Sequence, residues 1–415
     1  MKVAVIGSGG REHAIAWKLA QTESWDNIFT LPGNGGIPNS HAIDTTNFAH
    51  IETFCRQKGI ELIVVGPEIP LSAGIVDYFR ATDILILGPT KQAALLEGSK
   101  IWAKQFMQKH KVATAASQTF TNSSNAYHFI QSLNNQCVIK YDGLAAGKGV
   151  FVCYNTADVT DAFNELEAQY GKQFPFLVEE LLLGDEISII GITDGNTIQL
   201  LQPSQDHKQL LDNDLGPNTG GMGAFCPVPF CNDALMQQIK THIVSPTLNG
   251  LQAEGLDYKG FIYFGLMITP TGPKALEYNA RLGDPETEVI LPSLKSDLLP
   301  LVLACLNGTL SQHKLQFHEG FFVDVVLTSG GYPKQYSKGY PISGLDTVGD
   351  EVLVFHAGTD LQNSQIVTNG GRVLNIVGQG STLNNAIAKA YEGVAKISFK
   401  DAYYRKDIGQ RKSSN

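Results

Sequence analysis

Over its first hundred residues the chain alternates between two hydrophobic rhythms. Short aliphatic and β-branched runs, Lys2–Ile6, Asn27–Leu31, Glu61–Val65 and Ile84–Leu87, alternate with segments of helical periodicity, Glu12–Gln21, Ile51–Lys58 and Leu71–Arg80. That order predicts a parallel sheet with helices on both faces. Distinctive turns follow the strands: GSGGREH (Gly7–His13), PGNGG (Pro32–Gly36), VGPE (Val65–Glu68) and GPT (Gly88–Thr90). Sheets of this kind bind ligands beyond the carboxyl ends of their strands, so these turns are where a site is expected.

The rhythm then changes three times. Within Glu97–His110 a helix is expected to begin near Ser99, a good N-cap. From Thr119 to Leu183 the pattern is compact α+β: strands Cys137–Tyr141 and Val150–Cys153 around a glycine loop, a helix near Ala157–Tyr170, and a strand Phe176–Val178. Residues 187–295 read as a sheet again, with strands Ile187–Thr193, Thr197–Leu201, Phe261–Ile268 and Lys274–Tyr278. Two long polar loops interrupt it: SQDHK (Ser204–Lys208) leading into Asp212–Phe225, and LEYNARLGDPETE (Leu276–Glu288). Loops of this length are usually functional or mobile. After Gly320 come strands Phe321–Leu327, Glu351–His356 and Arg372–Gly378 and a helix near Leu383–Ile397, with a polar tail that frays after Gly409. Internal repeats and low-complexity segments are absent from the sequence.

At 415 residues the chain is too long for one core, and two to four domains are expected. Hydrophobic residues at 43% and charged residues at 17% are those of a globular protein, and a net charge of −9 disfavours a nucleic-acid surface. Lysines near phosphate should therefore be local and specific. The six cysteines form no CxxC pair and the ten histidines no zinc spacing, so reduced, buried thiols are expected. The N-terminal apolar run is too short for a signal peptide, and no run approaches a membrane span, which gives a cytoplasmic protein as the expectation.

The candidate chemistry centres on KYDGLAAGKGVFV, Lys140–Val152. It fails as a Walker A loop: three residues separate Gly143 from Gly147, Gly149 follows Lys148, and a strand comes next. A glycine-rich hairpin flanked by Lys140 and Lys148 is either a flap closing over phosphates or a surface hairpin with an edge lysine. Lys100 falls in a helical first turn, where the dipole disfavours a cation unless an anion sits there. Glu277 and Asn279 are two apart on a strand and share a face, which suits Mg²⁺ bound with phosphate, and Arg281 continues that face. The turn with Arg11 is either an anion cradle or a tight βα turn. Leu31–Pro32 replaces the acid that a nicotinamide dinucleotide fold places after its second strand, which disfavours an oxidoreductase.

Taken together, GSGGREH, VGPE, EGSK, KYDGLAAGKGV, SQDHK, GPNTGGMGA, EYNARLGDPETE and RKDIG resemble the phosphoribosylamine–glycine ligase family of ATP-grasp enzymes, in order and over essentially the whole chain. The resemblance implies an α/β ATP-grasp architecture. Residues 1–100 would form a doubly wound preATP-grasp domain, 101–320 an ATP-grasp body with a mobile α+β lid near 120–187, and 321–415 an α+β C-terminal domain. It implies ATP, Mg²⁺ or Mn²⁺, glycine and 5-phosphoribosylamine, joined in purine biosynthesis through glycyl phosphate, by a monomer with no nucleic-acid or membrane partner.

Carried over by residue, the resemblance gives ATP to Lys100, Lys140, Gly143, Gly147, Lys148, Gly149, Glu179, Leu182 and Glu186, and the metal to Glu277 and Asn279. Arg281 and Lys140 become catalytic. The other substrates fall to Gly9, Gly10, Arg11, Glu12 and Glu68, to Asp206, His207, Lys208, Asp214 and Asn218, and to Arg372, the last for a 5′-phosphate. Related enzymes often carry a further metal-binding acid one strand earlier, where this chain has Gly265 or Leu266.

Overall fold

The computed structural model describes residues 1–144 and 149–410. Its first four strands, Val3–Gly7, Ile28–Pro32, Leu62–Val65 and Leu85–Pro89, pair in parallel in the order fourth, third, first, second. Val3 and Val5 face one apolar cluster and Ala4 and Ile6 the other, which is why the strand has no polar face. The helix expected over Leu71–Arg80 is instead two, Glu68–Ala73 and Ile75–Phe79, because Gly74 takes a left-handed φ of 96° between them.

This sheet continues into the middle of the chain. Tyr258–Thr269 runs antiparallel to Leu85–Pro89, with Tyr258 opposite Pro89 and Lys259 opposite Gly88. Asp185–Thr193 and Gly272–Asn279 pair with the same long strand, and Ile198–Leu200 completes eight strands. A separate sheet of four, in the order Ser117–Phe120, Phe176–Glu180, Cys137–Tyr141, Val150–Cys153, has its own core beneath helices Ser123–Ser132 and Thr156–Tyr170.

The last sheet has the order Gln205–Asp206, Gly223–Cys226, Phe321–Thr328, Arg372–Gly380, Val352–His356, so two of its strands come from before residue 227. Helix Leu383–Val394 lies against it so closely that a Cβ on Gly378 would sit 2.4 Å from the Ala390 nitrogen. The region Ser204–Phe225, expected as loop, also holds a hairpin of Gln209–Leu211 and Leu215–Asn218. Among the described residues no helix is long and apolar enough to cross a membrane.

Candidate active site

The carboxyl ends of the parallel strands, the four-stranded sheet and the strand Gly272–Asn279 enclose a cavity of about 460 Å³, a size ordinary for small-molecule sites. At its N-terminal wall, Glu12 accepts from the Gly9 N–H at 2.6 Å and pairs with Arg11 at 2.5 Å. Its carboxylate occupies the space that Cβ atoms on Gly7 and Gly66 would need, so the glycines of GSGG and VGPE make room for Glu12. Arg11 reaches the cavity and also donates to the Leu282 carbonyl at 3.2 Å, whereas Gly9, Gly10 and Glu12 lie behind the lining. Gly10 packs instead against the buried side chains of Glu288 and Asn375.

Ser99 caps helix Lys100–Lys109 as expected, accepting from the Trp102 N–H. The anion wanted at this helix start is within the chain: Asp142 accepts from the Ile101 N–H at 3.0 Å and from the Ser99 hydroxyl. Lys100 points into the cavity and donates to the Gly143 carbonyl at 2.8 Å. Burial lowers the Lys100 pKa, with Glu277 opposing that shift. One turn on, Lys104 meets Glu179 at 3.0 Å, and Lys140 meets the other oxygen of Glu179 at 3.0 Å. All three side chains are buried. Lys140 also donates to the Leu276 carbonyl, tying strand Cys137–Tyr141 to the strand that carries Glu277.

Glu277 and Asn279 both line the cavity, as their two-residue spacing required. Burial works to raise the Glu277 pKa, but Lys208, Lys140, Lys100 and Arg281 outweigh it and hold the carboxylate ionised. The Arg281 guanidinium is fixed by Glu68 at 3.1 Å and Glu97 at 2.8 Å, and Glu97 also accepts from the Ala280 N–H. Gly265 faces Glu277 across the pair of strands, so the neighbouring strand offers no second acid there.

The cavity is also lined by Asp206, Lys208, Asn218, Asp284, Glu286 and Arg372. Arg372 meets Asp284 at 3.0 Å and donates to the Gly220 carbonyl. Among the described residues one Asp206 carboxylate oxygen is buried with no hydrogen-bond partner, and burial followed by the nearby Glu286 pushes its pKa well up. Glu186 pairs with Lys208 from just outside the lining. Leu182, His207 and Asp214 also lie off it, while Gly147 and Lys148 lie outside the described residues.

The cavity thus offers an ionised carboxylate and an amide among four cations, Lys208 included, and further acids around Lys208 and Arg372. The three family models of phosphoribosylglycinamide synthetase match in succession: the N domain over residues 1–97, the ATP-grasp (A) domain over 98–287 and the C domain over 322–411. The chain belongs to the phosphoribosylglycinamide synthetase family. Phosphoribosylamine–glycine ligase of Synechocystis sp. is 46% identical across 99% of this chain and 100% of its own length. The ligase of Clostridium acetobutylicum is also 46% identical, with the same coverage. The chicken trifunctional purine biosynthetic protein adenosine-3 is 47% identical over 99% of this chain, which corresponds to 42% of that protein. The crystal structure of the Thermotoga maritima ligase superposes with a TM-score of 0.85 at 35% identity, covering 98% of this chain and 100% of that one. A biotin carboxylase domain from Hydrogenobacter thermophilus, at TM-score 0.71 and 14% identity over 97% of this chain and 91% of its own, shares the fold.

In this member of the family several cavity residues were not singled out from sequence. Lys104 had a signal, since it lies four residues after Lys100 on the same helical face. Glu97, Asp284 and Glu286 sit inside the motifs EGSK and GDPE without standing out. Their partners, Arg281, Arg372 and Ser188, are remote in sequence.

Proposed function

We propose that this chain joins glycine to 5-phosphoribosylamine, with ATP converted to ADP and phosphate, giving glycinamide ribonucleotide in purine biosynthesis. The observation that carries the reading is the end-to-end match to phosphoribosylamine–glycine ligases, which covers 99% of this chain and all of theirs. The cavity supplies the chemistry such a reaction needs. Glycine's carboxylate is a poor electrophile until it is phosphorylated, so the protein must position, neutralise charge and exclude water.

Lys100 and Lys140, both on the cavity lining, would bind the ATP phosphates. Arg281, oriented by Glu68 and Glu97, neutralises the phosphoryl group as it moves. Glu179 and Leu182 would meet the adenine, and Glu186 the ribose. Glu277 and Asn279 fit a hard divalent cation, Mg²⁺ or Mn²⁺, because Glu277 is held ionised beside a neutral oxygen donor. When bound, that ion would neutralise the phosphates. At the acceptor end, Arg372 would hold the 5′-phosphate and Asp206 an amine. The same reading makes the chain a cytoplasmic monomer, acting on small molecules without nucleic acid or membrane.

The test is ADP release with freshly prepared phosphoribosylamine. ADP should appear only with ATP, glycine and the amine together. Equal release when another amine or another carboxylate is supplied would overturn the reading.

A further inference from the structure

The motif RKDIG takes no part in the cavity, yet Arg405 within it is among the largest fully buried side chains of the protein. Its guanidinium uses every edge. Nε and Nη2 donate to the two carboxylate oxygens of Asp407 at 2.8 Å each, Nη2 also donates to Asp214 at 3.0 Å, and Nη1 donates to the Gln209 carbonyl at 3.1 Å. Asp407 in turn accepts from the Asn213 N–H at 2.7 Å. Lys406 donates its backbone N–H to Asp212 at 2.8 Å, and the Tyr403 hydroxyl donates to the Leu210 carbonyl at 3.1 Å.

Apart from the Arg405–Asp407 pair, these bonds end on one hairpin, the strands Gln209–Leu211 and Leu215–Asn218 and the turn between them. That hairpin is a two-stranded sheet of its own, and its second strand is exposed throughout. An isolated two-stranded hairpin is at best marginally stable in water. The segment 403–409 is itself anchored. Tyr403 and Thr328 exchange backbone hydrogen bonds at 2.8 and 3.0 Å, Ile408 is fully buried, and the Gly409 N–H donates to His207 Nε2 at 3.1 Å.

The hairpin matters because of what its base delivers. Asn218, Thr219 and Gly220 line the cavity beside Arg372. The Thr219 N–H and hydroxyl both donate to the Lys208 carbonyl, at 2.7 and 2.8 Å, and the Gly220 N–H donates to the Tyr332 hydroxyl. The position of the hairpin therefore sets that of Lys208 and of the carbonyl that receives Arg372.

We infer that the C-terminal segment 403–409 is a clamp on this hairpin, and that Arg405 is a positioning residue for the stretch Asn218–Gly220 that lines the cavity beside Arg372. This rests on the ligase reading of the cavity. A lysine at 405 would keep the charge but lose the planar fork that reaches Asp407, Asp214 and Gln209 together.

The experiment compares Arg405→Lys with Asp214→Asn, which is half-exposed and so a milder change. For Arg405→Lys, the KM for phosphoribosylamine should rise at least tenfold while the KM for ATP stays within twofold. Backbone amides of residues 209–220 should exchange hydrogen faster, with those of the first parallel strands unchanged. Asp214→Asn should move the same quantities less, and the double variant should be no worse than Arg405→Lys alone. A rise in both KM values together, no rise in either, or wild-type exchange across 209–220 overturns the clamp. If Arg405→Lys does not fold, Asp214→Asn carries the same test. Failure of the ligase reading looks different: the wild type would release no ADP that depends on glycine and the amine, whereas the exchange comparison is unaffected.

Discussion

Replacing Lys140 with methionine separates binding from folding, because of the charge count around Glu179. That carboxylate is flanked by Lys104 and Lys140, each at 3.0 Å, with all three side chains buried. Removing one lysine leaves a neutral pair, so Glu179 is not orphaned. The structural loss is the bond to the Leu276 carbonyl, and an unsatisfied buried acceptor costs about 1–3 kcal/mol. That cost is offset in part because one cation fewer must be desolvated. Removing the anion, by Glu179→Gln, instead leaves two buried cations facing a neutral amide, and breaking a buried pair costs about 3–5 kcal/mol. Lys140→Met should therefore be the milder lesion for stability and the severe one for ATP. A charge-assisted contact to phosphate is worth about 1.5–3 kcal/mol, which is roughly 10- to 150-fold in affinity.

Thermal denaturation with and without Mg-ATP reads both quantities. At ATP set to about 100 times the wild-type Kd, binding stabilises the wild type by about 2.7 kcal/mol, whereas a variant bound roughly 100-fold more weakly gains only about 0.4 kcal/mol. The ATP-dependent shift in Tm should thus nearly vanish in Lys140→Met while its ligand-free Tm stays above that of Glu179→Gln. A full ATP-dependent shift, or a ligand-free Tm as low as that of Glu179→Gln, would refute the reasoning.

Arg372→Ala should raise the KM for phosphoribosylamine far more than those for ATP and glycine, since its guanidinium lines the cavity beside Asp284 and Gly220; equal effects on all three would remove it from the phosphate site. Glycine labelled with heavy oxygen in its carboxylate should deliver one label per turnover to inorganic phosphate, and Glu277→Gln should slow that transfer strongly; unlabelled phosphate at full turnover excludes the acyl-phosphate route. Burial lowers the pKa of three histidines, His13 to about 3 and His207 and His356 to about 4. Their unfolded forms take up protons first, so the stability they confer is complete above about pH 6.5 and is lost as pH falls towards about 4. Burial raises the carboxyl pKa values of Glu288 and Asp324, which act in the opposite sense, so the check is site-specific: ring signals of the three histidines should remain those of neutral imidazole at pH 5, and titration near 6.5 would contradict the assignment.

The parts of the molecule legible in the sequence were those set by local pattern. Uninterrupted aliphatic runs marked the parallel strands, Ser99 marked a helix start, and the two-residue spacing of Glu277 and Asn279 placed both on the cavity. What was missed depends on partners remote in the chain. Gly223–Cys226 forms a strand because it pairs with Phe321–Thr328, and no periodicity in four residues announces that. Glu97 gains its place from Arg281, and Arg405 from Asp214. The anion at the start of helix Lys100–Lys109 was foreseeable as a need, but its source, Asp142, lies some forty residues on. Motif resemblance named the right loops without separating side chains that line the cavity from those, such as His207, that hold the loops in place.

The pairing of Leu85–Pro89 with Tyr258–Thr269 also bears on how the protein is made. The N-terminal strands leave the ribosome first and can assemble early, but their outer strand then waits for a partner that is synthesised about 170 residues later. At about 5–20 residues per second that wait lasts roughly ten to thirty seconds. During it the Gly88–Pro89 end of that strand has no partner, and an unpaired strand edge is the kind of surface that templates aggregation. Translation pauses or truncations between residues 90 and 257 should accordingly produce insoluble or chaperone-bound chains, whereas release after residue 269 lets Gly88 and Pro89 pair with Lys259 and Tyr258.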